Sequence, residues 1–340
     1  MDVGPRRRES IEHVILTGVG GYLGRHIAAE LLLAGHRVTG TVRSLATTGA
    51  VRDAIATVVD PQHLDFAVAD LTRDDGWDGI LRGADGLMHV ASPFTLAEPK
   101  DEAEMIVPAV EGTTRVLLAA ERAGVRRAVV TSSVLTLFMG RGSGTYGPQD
   151  WADTTASIGA YPKSKTLAEQ AAWRLAEGMR MELVTVLPGF VTGPSLGDGT
   201  AGASEQTVAD MIEGRLPGVP DFGLTMVDVR DVARLHVAAL STPGAAGKRL
   251  IGSGEDAVPM AQLAATLRAA GYDKAPKRRL PSAVLRLAGR FDAQARSFAP
   301  YLGVHASVDA SGTCGAVGWT AGPIEPGLLE LAVQVSPART

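Results

Sequence analysis

The fold of this chain is indicated by residues 13–24, which run His13-Val-Ile-Leu-Thr-Gly-Val-Gly-Gly-Tyr-Leu-Gly24. The apolar, β-prone start predicts a strand, and the apolar residues that follow at helical spacing predict a helix. Between them, Gly18 allows a tight turn, Gly21 lets the backbone approach a pyrophosphate, and Gly24 lets the helix pack on the strand. The helix N-terminus attracts phosphate charge. The stretch therefore predicts a dinucleotide site, with a tight surface turn as the alternative.

Further apolar runs alternate with helical patterns along the chain. Strands are predicted at Arg37–Val42, Leu64–Leu71, Gly86–Ala91, Arg127–Ser132 and Met181–Leu187, and helices at Glu102–Ala123 and Lys163–Glu177. Strands without polar alternation, separated by helices, are typical of a parallel sheet covered on both faces. We therefore predict an α/β fold with a Rossmann-type doubly wound parallel sheet.

Ligands of such sheets bind beyond the carboxyl ends of the strands. Arg43 follows a predicted strand where a carboxylate would hold the ribose of NAD, and its guanidinium would pair instead with the 2′-phosphate of NADP. This position favours NADP, with a surface arginine as the alternative. Asp70 would accept from the adenine amino group or would cap a helix. Ser133 would donate to a substrate carbonyl.

The spacing Tyr161-x-x-x-Lys165 predicts an acid for that carbonyl. A phenol has a pKa of about 10, and a lysine one helical turn away lies on the same face. A charge at ~4 Å in a dielectric of ~20 contributes about 4 kcal/mol, or roughly three pKa units, so we expect Lys165 to lower the pKa of Tyr161. Because Pro162 suits the first position of a helix, Tyr161 is expected just ahead of it. A solvated Tyr–Lys pair is the alternative.

Composition excludes several classes of protein. The 340 residues, 45% hydrophobic and 21% charged, allow one large domain or two joined ones. Lys and Arg number 33 against 37 Asp and Glu, so the net charge of -4 gives no basis for a nucleic-acid partner. The basic stretch Lys274–Arg279 is short and is interpreted as a solvated face.

Cysteine and histidine usage points away from disulfides and metals. Cys314 is the only cysteine, and the seven histidines lack ligand spacing. No apolar segment follows the arginines at Arg6–Arg8, and no run of about 18 apolar residues occurs, so neither a signal peptide nor a membrane span is expected. A reducing cytoplasm is the expected location, and the sequence leaves the oligomeric state open.

Loop-forming residues interrupt the alternation after residue 191 and again after residue 252. We predict a discontinuous NADP-binding Rossmann domain at 12–191 and 226–252, a smaller substrate lobe at 192–225 and 253–335, and an N-terminal tail at 1–11. Six apolar residues that neighbour the proposed catalytic segments are candidate pocket walls, with core packing as the alternative: Phe94, Leu135, Phe138, Met139, Phe190 and Met226. They favour a small, largely apolar carbonyl substrate.

Taken in order, the motifs of most of the chain resemble the extended short-chain dehydrogenase/reductase family. The branch is that of dihydroflavonol reductases and cinnamoyl-CoA reductases, with its bacterial aldehyde and ketone reductases. The motifs are Thr17–Gly24, Thr41–Arg43, Ala69–Leu71, His89–Pro93, Thr131–Ser133, Tyr161–Lys165, Ala168–Trp173, Leu187–Gly189 with Val191 and Gly193-Pro194, Val227–Asp231 and Gly318-Trp319.

The resemblance implies a role for each matching residue. Ser133, Tyr161 and Lys165 would be the catalytic trio of an NADPH-dependent carbonyl reductase, with Tyr161 and Lys165 also at the cofactor. The remaining cofactor contacts would come from Gly18, Gly21, Tyr22, Leu23, Gly24, Arg43, Asp70, Leu71, Val90, Ala91, Ser92, Pro188, Val191 and Ser204.

Two departures from the branch bear on ligands. Plant members often place a lysine seven residues after the 2′-phosphate arginine, where this chain has Ala50, so NADP affinity would depend on Arg43 alone. They also place a small residue and glycine after the catalytic serine, where Val134 and Leu135 stand, which disfavours flavonoid-like substrates.

Two other functions remain open at this stage. A nucleotide-sugar epimerase or dehydratase would retain bound NAD, although Arg43 and the single arginine between Phe190 and Met226, Arg215, argue against it. A non-enzymatic NADP-binding redox sensor would commonly lack the tyrosine that this chain keeps.

Overall fold

A computed structural model describes residues 12–92, 98–197, 202–291 and 293–336. The predicted tail at 1–11 and the pocket candidate Phe94 lie outside these ranges. Within them, thirteen strands are numbered in chain order: β1 His13–Thr17, β2 Arg37–Val42, β3 Leu64–Val68, β4 Gly86–His89, β5 Arg127–Thr131, β6 Gly144–Tyr146, β7 Glu182–Pro188, β8 Phe190–Thr192, β9 Gly223–Leu224, β10 Met226–Asp228, β11 Arg249–Gly252, β12 Val258–Pro259 and β13 Ala306–Val308.

The same residues form thirteen helices. They are α1 Tyr22–Leu33, α2 Thr48–Ala56, α3 Trp77–Leu81, α4 Ala103–Ala123, α5 Leu135–Phe138, α6 Ala160–Ala176, α7 Ala203–Ile212, α8 Val229–Ser241, α9 Met260–Ala269, α10 Ser282–Ala288, α11 Ala293–Phe298, α12 Ser311–Val317 and α13 Glu325–Val335.

Seven strands form one parallel sheet in the order β11-β7-β5-β4-β1-β2-β3. Consecutive residues of β1 point to opposite faces, as strand geometry requires. Val14 and Leu16 join a core with α1 and α8, whereas Ile15 joins a second core with α3 and α4 on the other face. Burial on both faces explains why the strands lack polar alternation, and the predicted doubly wound parallel sheet is confirmed.

Some predicted boundaries differ from the structure. The strands predicted to reach Leu71, Ala91 and Ser132 end earlier, at Val68, His89 and Thr131. In each case the last predicted residues lie in the turn that leaves the sheet. The apolar and small residues there extend the β-prone pattern beyond the last strand pairing.

The start of α6 also differs from the prediction. The helix begins at Ala160, so Tyr161 lies inside its first turn and Pro162 occupies the third helical position. Proline is tolerated there because the first amide groups of a helix have no intrahelical acceptor. Tyr161 and Lys165 are therefore both helical residues one turn apart.

A separate apolar core lies away from the sheet. It joins the helices α7, α9 and α13 and includes Val208, Leu263, Leu331 and also Met226 from β10. These helices belong to the two segments that the sequence assigns to a substrate lobe.

Part of the second predicted lobe segment packs on the sheet domain instead. Thr313 of α12 donates a hydrogen bond of 3.0 Å to the backbone of Ile251 in β11, and the Trp319 indole donates one of 2.8 Å to Asp231 O. The Trp319 ring lies in the core of the sheet domain. The division predicted at residue 253 therefore separates α12 from the elements that it contacts.

Candidate active site

The glycine turn between β1 and α1 is tightly packed. Gly18 has φ +76, a left-handed conformation that side chains rarely adopt, and a Cβ there would lie 3.0 Å from the backbone of Ala91. A Cβ on Gly24 would lie 2.1 Å from Gly18 O. Within the described residues, no side chain caps the start of α1 at Gly21. The start of α1 therefore offers backbone amides beside a cradle, residues 18–24, that any added Cβ would fill. Both features fit the pyrophosphate of a dinucleotide.

One hydroxyl connects the ends of β1 and β4. Thr17 Oγ1 accepts hydrogen bonds of 3.1 Å from the amides of Val90 and Ala91, so its own hydrogen points to His89 Nδ1 at 2.9 Å. His89 then carries its proton on Nε2, which donates to Thr113 at 3.3 Å. Burial, followed by the charge of Lys165, lowers the pKa of His89 to about 3. A neutral histidine thus fixes the backbone of Val90 and Ala91, both predicted cofactor contacts.

Three side chains of α1 hold the loop that follows β8. The Tyr22 hydroxyl donates to Gly193 O at 2.7 Å, and His26 Nε2 donates to Pro194 O at 2.8 Å. Arg25 donates to Leu196 O at 2.6 Å. The sequence pattern of the glycine turn does not predict this connection, because the partners are backbone carbonyls about 170 residues away.

Arg43 and Asp70 follow the neighbouring strands β2 and β3, and both side chains are exposed. Asp70 accepts hydrogen bonds of 2.8 Å from the backbone and hydroxyl of Thr72, which hold the pKa of its carboxyl below the usual value. The charges of Arg73 and Arg43 act in the same direction. Asp70 thus caps a turn at Thr72 and not the helix start that was the alternative to its adenine role, and Arg43 lies close enough to act on its charge.

Ser133 follows the end of β5, where the chain turns into α5. Its side chain is 7% exposed, and its hydroxyl accepts a hydrogen bond of 3.3 Å from the Leu135 amide. The Val134 amide donates to Pro188 O at 3.0 Å, which joins this turn to the end of β7. Ser133 and Pro188, two predicted site residues, therefore lie at neighbouring strand ends.

Lys165 reaches the same strand end from α6. Its ammonium donates a hydrogen bond of 3.1 Å to Thr131 O, two residues before Ser133. Burial lowers the pKa of Lys165 to about 8, although the Glu169 carboxylate raises it. A small polar cavity beside Lys165 is lined by Ser92, Ser132 and His89 among others. The structure thus brings Lys165, Ser92 and the Ser133 turn to one place.

Tyr161 behaves differently from the expectation. Burial raises its pKa to about 12, so the prediction that Lys165 lowers it toward neutrality is wrong for this structure. Sequence spacing gives the lysine charge but not the loss of water around the phenol, and here the loss of water causes the shift. A phenol with this pKa is protonated at neutral pH and is a weaker acid than free tyrosine.

Residues that the sequence did not single out surround the first turn of α6. Glu98 accepts a hydrogen bond of 2.7 Å from the Ala160 amide, and Glu102 pairs with Lys163 at 2.7 Å. A carboxylate at a helix N-terminus stabilises that end. Burial and the charges of Tyr161 and Glu98 raise the pKa of Tyr301, so this phenol of the lobe segment lies within electrostatic range of Tyr161.

The other predicted cofactor contacts lie in several different elements. Leu71 packs against Gly112 of α4, where a Cβ would come within 3.0 Å of it. Val191 pairs with Val227 between β8 and β10. Leu23 and Ser204 are half-buried, and Ser204 lies in the first turn of α7.

The pocket candidates fall into two groups. Leu135 and Phe190 are half-buried beside the Ser133 turn and the end of β7. Phe138, Met139 and Met226 are 6%, 0% and 1% exposed and pack inside apolar cores. For these three, the structure supports the alternative of core packing over a place on a pocket wall.

The described residues contain neither a membrane-spanning helix nor a cluster of metal ligands. No helix there has the length and apolar character needed to cross a membrane. No group of three or more His, Cys, Asp or Glu side chains there is arranged to hold a metal ion.

The chain is similar to proteins of known family. A family model described as NAD dependent epimerase/dehydratase family matches residues 14–251. The dihydroflavonol 4-reductase of Zea mays is 31% identical over 264 residues, covering 75% of this chain and 73% of the relative. Cinnamoyl-CoA reductase 1 of Arabidopsis thaliana is 33% identical over 246 residues, covering 70% of this chain and 69% of the relative.

A solved structure agrees with the fold. The yeast methylglyoxal/isovaleraldehyde reductase Gre2, complexed with NADPH, superimposes with a TM-score of 0.78 at 23% identity, covering 95% of this chain and 98% of Gre2. At that identity the likeness establishes the fold. Together with the family model and the relatives above 30% identity, it leads to one conclusion: this chain belongs to the NAD dependent epimerase/dehydratase family, the extended short-chain dehydrogenases/reductases, among relatives of the dihydroflavonol and cinnamoyl-CoA reductase type.

Proposed function

We propose that the protein reduces an aldehyde or ketone carbonyl with a hydride from NADPH, and that Tyr161 donates the proton. The observation that supports this proposal is the Lys165 ammonium 3.1 Å from Thr131 O, two residues before Ser133, on the helix that also carries Tyr161 one turn earlier. The glycine turn after β1 lies at the same edge of the sheet, two strands away from β5.

The enzyme class is an NADP-dependent oxidoreductase. Relatives above 30% identity carry the names of reductases, and the structural neighbour Gre2 was solved with NADPH. The residues of this chain fit such a cofactor, because the Gly18–Gly24 cradle leaves backbone amides free of side-chain caps and Arg43 offers an exposed guanidinium for a 2′-phosphate. When bound, NADPH would supply the hydride.

The side chains would then act on the carbonyl oxygen. The Ser133 hydroxyl would hold that oxygen, while Tyr161 donates its phenolic proton to it as the C=O π bond opens and the carbon accepts the hydride. The Lys165 ammonium would stabilise the phenolate that remains. Donors that strengthen as the oxygen gains charge are worth about 2.7 to 4 kcal/mol each.

The substrate class is proposed from the half-buried apolar residues near this place. Leu135 and Phe190 border the Ser133 turn and the start of the lobe, and the Tyr301 phenol lies within electrostatic range of Tyr161. Such a lining fits a small, largely apolar carbonyl compound.

The test is a panel of aldehydes, α-dicarbonyls and aryl ketones, assayed with NADPH and with NADH. We expect oxidation of NADPH that depends on the carbonyl, with NADH used poorly. Purified protein that carries NAD and consumes no NADPH would indicate an epimerase or dehydratase instead. Tight NADP binding without turnover across the panel would indicate a redox sensor.

A further inference from the structure

A buried ion pair lies one helical turn beyond Lys165. Glu169 of α6 accepts from Arg249 of β11 at both carboxylate oxygens, with Nε 2.7 Å from Oε1 and Nη2 3.1 Å from Oε2. The two side chains are 1% and 8% exposed. A two-point contact of this kind fixes the orientation of both groups.

Three hydroxyls complete the coordination of the carboxylate. Ser132 and Thr136 donate to Oε2 at 2.6 and 2.9 Å, and Thr185 of β7 donates to Oε1 at 2.8 Å. Ser132 and Thr136 stand on either side of Ser133 in the sequence. Glu169 therefore connects the helix that carries Tyr161 and Lys165 to both flanks of the Ser133 turn.

Arg249 is itself held from several sides. It donates to Pro148 O at 2.8 Å and to Asp150 O at 2.6 Å, and its guanidinium lies 3.7 Å from the centre of the Trp151 ring. These contacts hold the Arg249 guanidinium in position independently of Glu169. The Glu169 carboxylate can therefore pair with it in only one orientation.

Stability alone does not explain such a pair. Removing two charges from water costs free energy that their attraction often fails to recover, and apolar replacements are frequently as stable. A fully bonded polar network does, however, define one arrangement of the elements that it joins.

We propose that Glu169, held by Arg249, is a positioning residue that fixes Ser133 relative to Tyr161 and Lys165 and keeps the Lys165 ammonium charged. This inference rests on the proposed carbonyl reduction, because it assigns Glu169 an effect on the groups of that same site.

The surroundings of Lys165 explain the effect on charge. Glu169 acts on it from its own helix, where Tyr161 lies one turn before Lys165, and His89 acts from β4 as a neutral ring. Burial lowers the pKa of Lys165 to about 8, and the Glu169 charge opposes that decrease. Without the carboxylate, the pKa of Lys165 falls further. Because the ammonium is lost as pH rises through that pKa, activity would then decline at lower pH than in the wild type.

The test compares two double variants that remove one ion pair each. Glu169→Gln with Arg249→Gln removes both charges of the pair beside Lys165, so that neither partner is left as a buried charge without the other. Arg127→Gln with Glu182→Gln does the same for a pair at the amino ends of β5 and β7, whose nitrogen and oxygen lie 2.6 Å apart. Single Glu169→Gln completes the set.

We expect both Glu169 variants to lose about 100-fold in kcat, the scale of a 1 Å misplacement, with little change in KM for NADPH. The basic limb of their pH profile should move to lower pH. The Arg127–Glu182 variant should keep the wild-type kcat and pH profile even where its melting temperature falls. Equal effects of the two double variants on kcat and pH profile would overturn the inference.

An NMR titration of the Lys165 side chain separates this inference from the proposed function. If the wild type reduced no carbonyl of the panel, the reduction would be refuted. A Lys165 titration that still moves to lower pH in Glu169→Gln would nevertheless support the charge effect, and an unchanged titration would refute it.

Discussion

The amino and carboxyl ends of the central strands both use buried polar groups, but these groups have different partners. At the amino end, Arg127 pairs with Glu182, which is 43% exposed, and donates to the backbone of Ala239, Leu240 and Thr242 at the end of α8. Toward the carboxyl end, Glu169 bonds to side chains next to Ser133 and Lys165. The Arg127 contacts satisfy backbone carbonyls at the end of α8. The Glu169 contacts hold residues on both sides of Ser133, a proposed catalytic residue.

This difference predicts that substitutions at the two ends affect different measurements. Changes at the carboxyl end should alter turnover or cofactor affinity while the protein stays folded. Changes at the amino end should alter the free energy of unfolding while turnover stays the same.

The largest expected effect is that of Tyr161→Phe. Loss of the proton donor should lower kcat by about 1,000-fold, which combines general-acid and oxyanion contributions. The measurement is the rate of NADPH oxidation with the best carbonyl of the panel, alongside a thermal melt.

Tyr146→Phe is the matched control for the phenol. Tyr146 is also buried, and its hydroxyl donates to Gly142 O at 3.1 Å, outside the proposed site. That variant should turn over normally. Near-normal kcat in Tyr161→Phe would refute the role of Tyr161 as the acid.

Next in size is Arg127→Gln at the amino end. Three carbonyls at the end of α8 would lose a charged donor, and we expect the free energy of unfolding to fall by about 3 kcal/mol. Denaturant unfolding measures this loss, and kcat at a temperature where the variant is folded should match the wild type.

Arg180→Gln is the control for charge removal. Arg180 is 91% exposed and pairs with Glu121 at 3.5 Å, so its loss should change the free energy of unfolding by less than about 0.5 kcal/mol. A large loss of kcat in folded Arg127→Gln would contradict the separation between the two ends.

The smallest of the three effects is expected for Arg43→Gln. Loss of an exposed cation beside the 2′-phosphate should raise KM for NADPH by about tenfold and leave KM for NADH unchanged. Arg37→Gln, at the exposed amino end of the same strand β2, is the control and should change neither value. Equal KM changes for NADPH and NADH in Arg43→Gln would argue against a phosphate contact.

Local patterns in the sequence were sufficient to predict the sheet and to point to candidate site residues. The glycine turn, the apolar strands and the strand-end residues Arg43, Asp70 and Ser133 are each encoded within a few neighbouring residues. The confirmed parallel sheet follows from those runs, because strands buried on both faces need no polar alternation.

What the sequence did not reveal depends on distant partners and on burial. Glu169 and Arg249 are 80 residues apart, and no local spacing announces their pairing. The raised pKa of Tyr161 depends on how much water the fold removes. The packing of Trp319 on Asp231 O depends on the lobe segment returning to the sheet domain.

The attachment of α1 to the loop after β8 has a consequence for protein engineering. Tyr22, Arg25 and His26 contribute side chains, but the loop contributes only the backbone carbonyls of Gly193, Pro194 and Leu196. A graft of a foreign substrate lobe onto this scaffold therefore needs to preserve the path of that loop rather than its side chains. Gly193 has to be kept along with the three α1 residues, because its φ is +116 and a Cβ there would lie 2.9 Å from Val229.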